Sequence, residues 1–380
     1  MYDLDNMMFQ EKEMTAMTVD NNVEAVEEKK VKGKKGEEVP TKKPGKPGIG
    51  LDVGTGFLVG AGFDSDNKVK FAPLRDAFFT IDKATFNRSM FQKGSMKYVE
   101  IGTDIHVIGE DALTLAKIRN TSAKRPLKLG VINPQERNAA PILKEMFRYC
   151  VKPFVKKEGE IMVFSVPGAK IGDEGFNVDY HSMSIQSLAR YFGLEAVPIN
   201  EAYAVILAEM EKSEDVTGLG FSFGAGLVNV CFVYKSMLLF EFSIDKSGDF
   251  IDSESARACG VSTSVINHIK EKELVLTADE MTASPEIRAL IFTYRHVIKN
   301  TLKEVVRAFT NTSDVNVIEP VPIIVSGGTS IPEGFMELFT QELRSTQLPF
   351  KVTEVLPSEN RLAAVAKGCL IWANHLEQQR

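Results

Sequence analysis

Residues 50–62 read GLDVGTGFLVGAG, and residues 220–233 read GFSFGAGLVNVCFV. In each, an apolar run enters a short turn carrying two glycines, Gly54 and Gly56 or Gly224 and Gly226, and a second apolar run leaves directly. Short apolar runs bounded by glycine predict strand, tight turn and strand. Glycine permits φ > 0 and lets neighbouring N–H groups point to one side, which makes a small concave anion site. One such turn merely closes a hairpin, whereas two can face each other across a cleft and hold a polyphosphate from both sides. A third glycine-rich segment, IIVSGGTSIPEGF at 323–335, follows an apolar run and precedes a helical pattern. That context suits a nucleoside lying on a glycine floor at a helix start.

Outward from these turns, the stretch from Gly48 continues as a hairpin around Asp64, Asp66 and Asn67. Further strands are predicted at KYVEIG, HVIGE, EIMVFSVP, MLLFEFSI and VPIIVSGG. Helical periodicity falls between them, in AAPILKEMFRYCVKPFVKK, YHSMSIQSLARYFGL, EAYAVILAEMEK, STSVINHIKEKEL, the long PEIRALIFTYRHVIKNTLKEVVRAFTN, PEGFMELFTQELRS and ENRLAAVAKGCLIWANHLEQQ. Hairpins followed by alternating strand and helix indicate a mixed-sheet α/β architecture.

The 380 residues suffice for two sizeable cores, and 44% hydrophobic with 25% charged residues is a globular balance. Lys plus Arg number 45 against 51 Asp plus Glu, for a net charge of −6, so bulk electrostatics argues against a nucleic-acid binder. The four cysteines, Cys150, Cys231, Cys259 and Cys369, have neither metal-ligand nor redox spacing, which predicts free thiols in a reducing compartment. No membrane span is expected, and the acidic start lacks the basic and apolar regions of a secretory signal. The expected location is the cytoplasm.

Residues 1–46 form a predicted disordered charged tail. Its first 30 residues carry eight acids against three lysines, and residues 31–46 carry six lysines against two acids, ending in KKPGKPG. Its short apolar cluster, Leu4, Met7, Met8 and Phe9, is the candidate contact for a protein partner.

The two glycine turns, RPLKLGVINP at 125–134, VPINEAYAVILAEM at 197–210, SGDFIDSESA at 247–256, INHIKEKEL at 266–274, SGGTS at 326–330 and ENRLAAVAKGCLIW at 359–372 follow one another in a fixed order. In that order the sequence resembles the actin, heat-shock chaperone and sugar kinase superfamily. The RPL and GVI elements look most like bacterial actins of the MreB and MamK type, and HIKEKEL is similar to a nucleotide-contacting helix of actin. The resemblance spans roughly residues 48–373.

The resemblance implies a two-lobed actin-like fold, each lobe on a ribonuclease H-like mixed sheet, with ATP or ADP and Mg²⁺ in the cleft. Lobe I would span 47–205, with a small subdomain at about 72–115 and completion by a C-terminal helix within 355–380. Lobe II would span 206–354, with a small subdomain at about 256–318. Asp52 matches the first-loop aspartate that orients Mg²⁺ through water, and a carboxylate at a strand end beside a phosphate turn suits that task. Glu201 matches the residue that positions the attacking water and takes its proton. The phosphate loops would be Gly54, Thr55 and Gly56, and Ser222, Gly224, Ala225 and Gly226. Lys270 and Glu271 match the adenosine-contacting pair, and Gly327, Gly328 and Thr329 the adenosine loop.

Departures from the family pattern weaken hydrolysis more than binding. Ser222 stands where the family has an aspartate, Leu227 where it commonly has threonine, and Gly56 and Phe57 where bacterial actins have polar residues. A hydroxyl brings no negative charge to Mg²⁺. The expected function is therefore a filament-forming, nucleotide-binding cytoskeletal protein with slow or impaired ATP hydrolysis. The alternative is a non-polymerising, nucleotide-sensing adaptor or chaperone-like relative. A chaperone would need a peptide-binding domain after Arg380, and a sugar kinase a substrate-side catalytic aspartate.

Overall fold

A computed structural model describes residues 45–83, 96–119, 121–173, 175–210, 215–312 and 316–380. The tail through residue 44, with its cluster of Leu4, Met7, Met8 and Phe9, lies outside the described residues. Strands β1 (Ile49–Val53), β2 (Phe57–Phe63) and β3 (Val69–Arg75) make an antiparallel meander. The turn between β2 and β3 is built by Asp64, whose Oδ1 accepts from the N–H groups of Asp66 and Lys68 at 2.9 Å each, and by Asn67 in the left-handed region at φ 59°.

A small sheet follows, of β4 (Phe78–Asp82), β5 (Tyr98–Ile101) and β6 (Asp104–Ile108) in the order β4-β6-β5, then helix α1 (Glu110–Ile118). The two-residue strands β7 (Leu127–Lys128) and β8 (Val131–Ile132) form a hairpin ahead of α2 (Ala139–Val151). Strand β9 (Glu160–Val166), helix α3 (Asp179–Tyr191) and strand β10 (Leu194–Asn200) complete the first sheet. Its order is β10-β9-β1-β2-β3, with β9 parallel to β1 and β10 parallel to β9.

Helix α4 (Glu201–Glu209) leads into a second meander, β11 (Gly218–Phe223), β12 (Val228–Tyr234) and β13 (Met237–Ile244). Helices α5 (Gly248–Cys259), α6 (Thr263–Lys272) and α7 (Pro285–Thr310) come next, then β14 (Val321–Ser326), α8 (Phe335–Arg344), β15 (Val352–Pro357) and α9 (Ala364–Gln378). The long α7 starts where Ser284 accepts from the Ile287 N–H and Pro285 fills the first turn. The second sheet has the order β13-β12-β11-β14-β15. Read from the free edge of each meander, both sheets run third, second, first, fourth and fifth strand. The duplicated strand, glycine turn and strand is thus the opening of a duplicated mixed sheet.

Helices α4 and α9 lie between the sheets, α9 on β1, β2 and β9 and α4 on β11, β12 and β14. Helix α4, EAYAVILAE, is apolar nearly all round, as a helix covered on every side must be. The approach is very close. A Cβ on Gly368 of α9 would fall 1.8 Å from the Ala204 carbonyl oxygen of α4. Gly50 on β1 and Gly220 on β11, each two residues before the equivalent positions Asp52 and Ser222, likewise leave room for the Ala366 and Ala202 carbonyls.

One sequence expectation needs correction, and two elements are not announced by the sequence. Gly54, Gly56, Gly224 and Gly226 do not adopt positive φ; a Cβ on Gly54 or Gly224 would meet the Phe57 or Leu227 carbonyl at 2.9 Å, one on Gly226 would meet Thr55 Oγ1 at 2.7 Å, and one on Gly56 would press on Ala225 Cβ at 3.2 Å. EAVPIN, for which the sequence predicts no element, forms the parallel edge strand β10, where Pro198 is tolerated because only β9 pairs with it. GDFIDSES, whose apolar positions are too sparse to announce a helix, forms α5, ended by Gly260 in the left-handed conformation at φ 68°.

Candidate functional site: the cleft between the sheets

The glycine turns meet at the mouth of a cleft of about 470 Å³. They are closed by the same bond: the Gly54 N–H donates to the Phe57 carbonyl at 3.0 Å, and the Gly224 N–H to the Leu227 carbonyl at 2.9 Å. Their tips touch. A Cβ on Gly56 would lie 3.2 Å from Ala225 Cβ, and one on Gly226 would lie 2.7 Å from Thr55 Oγ1. The N–H groups of Thr55, Gly56, Ala225 and Gly226 meet no backbone carbonyl or side-chain acceptor among the described residues. Four such amides at a cleft are an anion site made of backbone.

Behind the loops lie the two acids. Asp52, one residue from the end of β1, accepts from Ser165 Oγ at 3.0 Å, and that hydroxyl oxygen accepts from the Val53 N–H at 2.9 Å. Glu201 opens α4, whose first turn is capped by Asn200 Oδ1 accepting from Ala202 and Tyr203. Its Oε1 accepts from Ser222 Oγ at 2.6 Å and its Oε2 from Asn229 Nδ2 at 2.8 Å. Asn229 Oδ1 in turn accepts from the Gly168 N–H. Burial pushes both acids well up from the ordinary carboxylate range, and the Asp52 charge adds to the rise at Glu201, while Ser165 and Ser222 oppose it.

That chemistry bears on Mg²⁺. Among the described residues no cluster of three or more His, Cys, Asp or Glu exists to cage a metal. Two buried acids that resist ionisation while no cation is near them, with hard oxygen atoms, fit a hydrated Mg²⁺ held at one remove and carried on a polyphosphate. Asp52 and Glu201 would hold its waters, and Ser222 would add a hydroxyl without charge.

The other end of the cleft is made by α6 and the turn after β14. Lys270, on a face that charge alternation would leave in water, is nearly buried and pairs with Asp252 at 2.7 Å and with the Gly248 carbonyl at 3.3 Å. Glu271 receives Arg75 from the other lobe at 3.1 Å, and that guanidinium lies 4.2 Å from the centroid of the Phe57 ring. Gly327, at φ 95°, has no room for a Cβ against Phe223, and Gly328 and Thr329 continue into a 3-10 turn. Thr329 Oγ1 donates to the Gly224 carbonyl at 2.7 Å and so ties this turn to the second loop.

All the residues singled out from the sequence line this one cleft. Missed were Ser165, Arg75, Arg125, Asn229 and Asp249. Ser165 and Asn229 left a signal, each being a polar residue inside an otherwise apolar strand. Arg125 and Asp249 lie in the segments RPLKLGVINP and SGDFIDSESA, but nothing local to them or to Arg75 announces a role, since their importance lies in partners about 120 to 200 positions away, Asp249 for Arg125 and Glu271 for Arg75.

A family profile, Volactin, matches residues 48–373. The chain belongs to the Volactin family. No curated protein matches it. Among solved structures, the Volactin chain is similar to the MamK double helical filament, with a TM-score of 0.63 and 15% identity, over 86% of this chain and 98% of that one. It is also similar to MreB5 of Spiroplasma citri bound to AMPPNP, with a TM-score of 0.61 and 14% identity, over 88% of this chain and 98% of that one. At such identities the likeness is one of fold, and the Volactin chain has the two-lobed actin-like fold that the sequence resemblance implied. No helix among its described residues is long and apolar enough to cross a membrane.

Proposed function

We propose that this Volactin-family chain is an actin-like cytoskeletal protein that binds ATP, with Mg²⁺, in the cleft and assembles into filaments. The observation that carries the reading is the pair of touching glycine loops with four unclaimed amides, set in front of Asp52 and Glu201. The similar proteins include one solved as a filament and one solved both with AMPPNP and with ADP, which supports the same pairing of nucleotide and polymer here. Mg²⁺ would neutralise phosphate charge when bound; the chain's own residues do the rest. The loop amides hold phosphate oxygens, the Gly327–Thr329 turn and the α6 face hold the nucleoside, and Glu201, oriented by Ser222 and Asn229, orients water and takes a proton from it. With serine for the second aspartate, hydrolysis is slow.

Electron microscopy of the purified protein with and without ATP and Mg²⁺, alongside thermal unfolding, tests the proposal. The expected result is filaments with nucleotide and a higher melting temperature in the same solution. Gly226→Val, whose side chain would strike Thr55 and Leu129, should abolish the nucleotide-induced shift. A nucleotide-induced shift without filaments at any protein concentration or salt would select the non-polymerising adaptor; no shift at all would reject the nucleotide site.

A further inference from the structure

Each glycine loop is held from its outer side by an aspartate of its own lobe. The Asp76 N–H donates to the Gly56 carbonyl at 3.0 Å, and the Asp249 N–H to the Ala225 carbonyl at 2.7 Å. Arg125 links the two aspartates. Its Nη1 is 2.8 Å from both carboxylate oxygens of Asp249, across the cleft. Two residues on, the Leu127 N–H donates to Asp76 Oδ2 at 3.2 Å. Asp76 is fully buried, and its Oδ1 has no hydrogen-bond partner among the described residues. Burial drives its pKa well up, the Arg125 charge pulls it back, and the Asp249 charge adds to the rise.

The same segment then turns through Leu129 and Gly130, both left-handed at φ 51° and 70°. The Gly130 N–H donates to Thr55 Oγ1 at 2.7 Å, and a Cβ on Gly226 would lie 3.1 Å from Leu129 Cα. Bonded contacts therefore run without a break from the first loop through Asp76, the Arg125 segment and Asp249 to the second loop.

We propose that Arg125 is a positioning residue that clasps the two lobes, sets the spacing of the glycine loops and thereby limits how fast a nucleoside polyphosphate leaves the cleft. The inference rests on the nucleotide reading of the cleft. An isolated exposed ion pair contributes little. This one differs because each end is tied through the backbone to a loop, so its rupture frees both loops at once. A negative charge at position 125 would face Asp249 directly, and like charges set side by side across an interface are strongly disfavoured.

The test uses the full chain with a fluorescent N-methylanthraniloyl analogue of ATP and Mg²⁺. Arg125→Glu should release the analogue about ten-fold faster, Arg125→Gln less so, and the swap Arg125→Glu with Asp249→Arg should return to within about three-fold of the parent. A defect of folding alone would not be rescued by the swap. Small-angle scattering of the nucleotide-free proteins should give a larger radius of gyration for Arg125→Glu and the parental value for the swap. Equal release rates and equal radii in all variants would overturn the clasp, as would a fast-releasing Arg125→Glu that the swap leaves unrescued. If the parent does not bind the analogue, the nucleotide reading fails, and the scattering series alone decides whether Arg125 holds the lobes.

Discussion

Ser222 and Asp52 occupy the same place in the two sheets, each at the end of a first strand and two residues before a loop glycine. In the second lobe the acid is replaced by a hydroxyl that donates to Glu201 at 2.6 Å. Ser222→Asp would press a third carboxylate against Glu201 and Asp52, costing the empty protein about 1–3 kcal/mol, an increment that a bound cation offsets. The expected outcome is a lower melting temperature in chelator, a larger stabilisation by Mg²⁺ with ATP than in the parent, and faster phosphate release. Unchanged melting with and without Mg²⁺ would remove Ser222 from the metal environment. His181 offers a pH test away from the cleft. Burial lowers its pKa from 6.5 to about 4, and neither ring nitrogen has a hydrogen-bond partner among the described residues. The unfolded chain takes up a proton near pH 6.5 that the folded chain refuses until about 4, so stability is full above 6.5 and falls by about 3 kcal/mol as pH drops through that window. In urea titrations between pH 7 and 4, His181→Leu should lose that part of the slope; a parental slope would show that His181 is not its source.

Helices α4 and α9 join the lobes, and the join depends on backbone meeting backbone. Gly368 admits the Ala204 carbonyl where any Cβ would stand at 1.8 Å, and no rotamer change relieves a backbone clash. Gly368→Val should therefore destabilise the protein by at least about 3 kcal/mol, read as a drop in denaturant midpoint. A variant within 1 kcal/mol of the parent would mean that the helices separate easily. The helices are also where the last part of the chain closes on the first. Glu377 on α9 accepts from the Ile161 N–H of β9 at 2.7 Å, and Asn374 donates to the Pro47 carbonyl at 2.8 Å.

At the scale of the molecule, the first described residues are already bonded into the body. The Lys46 N–H donates to Asn67 Oδ1 at 2.8 Å, and the Gly48 N–H to Glu160 Oε1 at 2.9 Å. Deleting residues 1–44 should leave thermal stability and nucleotide binding unchanged, because that composition offers too little apolar surface to offset ordering entropy of about 1–2 kcal/mol per residue. Deleting 1–46 removes the Lys46 bonds as well and should cost about 1–2 kcal/mol more. Filament bundling and its salt dependence should change with either deletion, since charged arms brought together on a polymer act multivalently. Amides before residue 44 that are strongly protected from exchange in the monomer would show that the arm belongs to the body.

Strand, glycine turn and strand at Gly50 and again at Gly220 were legible in the sequence, because local steric rules decide where apolar runs must turn. So was the SGGTS segment, which sits between an apolar run and a helix start, whereas Asp52 and Glu201 were singled out by the resemblance and lie at a strand end and a helix start. The sequence resemblance ordered these pieces into two lobes. The reason for the glycines was not legible. Gly226 is there because Thr55 and Leu129 leave no room for a side chain, Gly56 sits tight against Ala225, and Gly50, Gly220 and Gly368 are there because helices approach strand or helix at backbone distance. Nor could the sequence pair Arg75 with Glu271 or Arg125 with Asp249, or show that Lys270 is buried against Asp252. Local pattern determines which residues stand at the ends of strands and helices; only the packing of one lobe on the other decides which charges meet, because an ion pair depends on distance in space and carries no period along the chain.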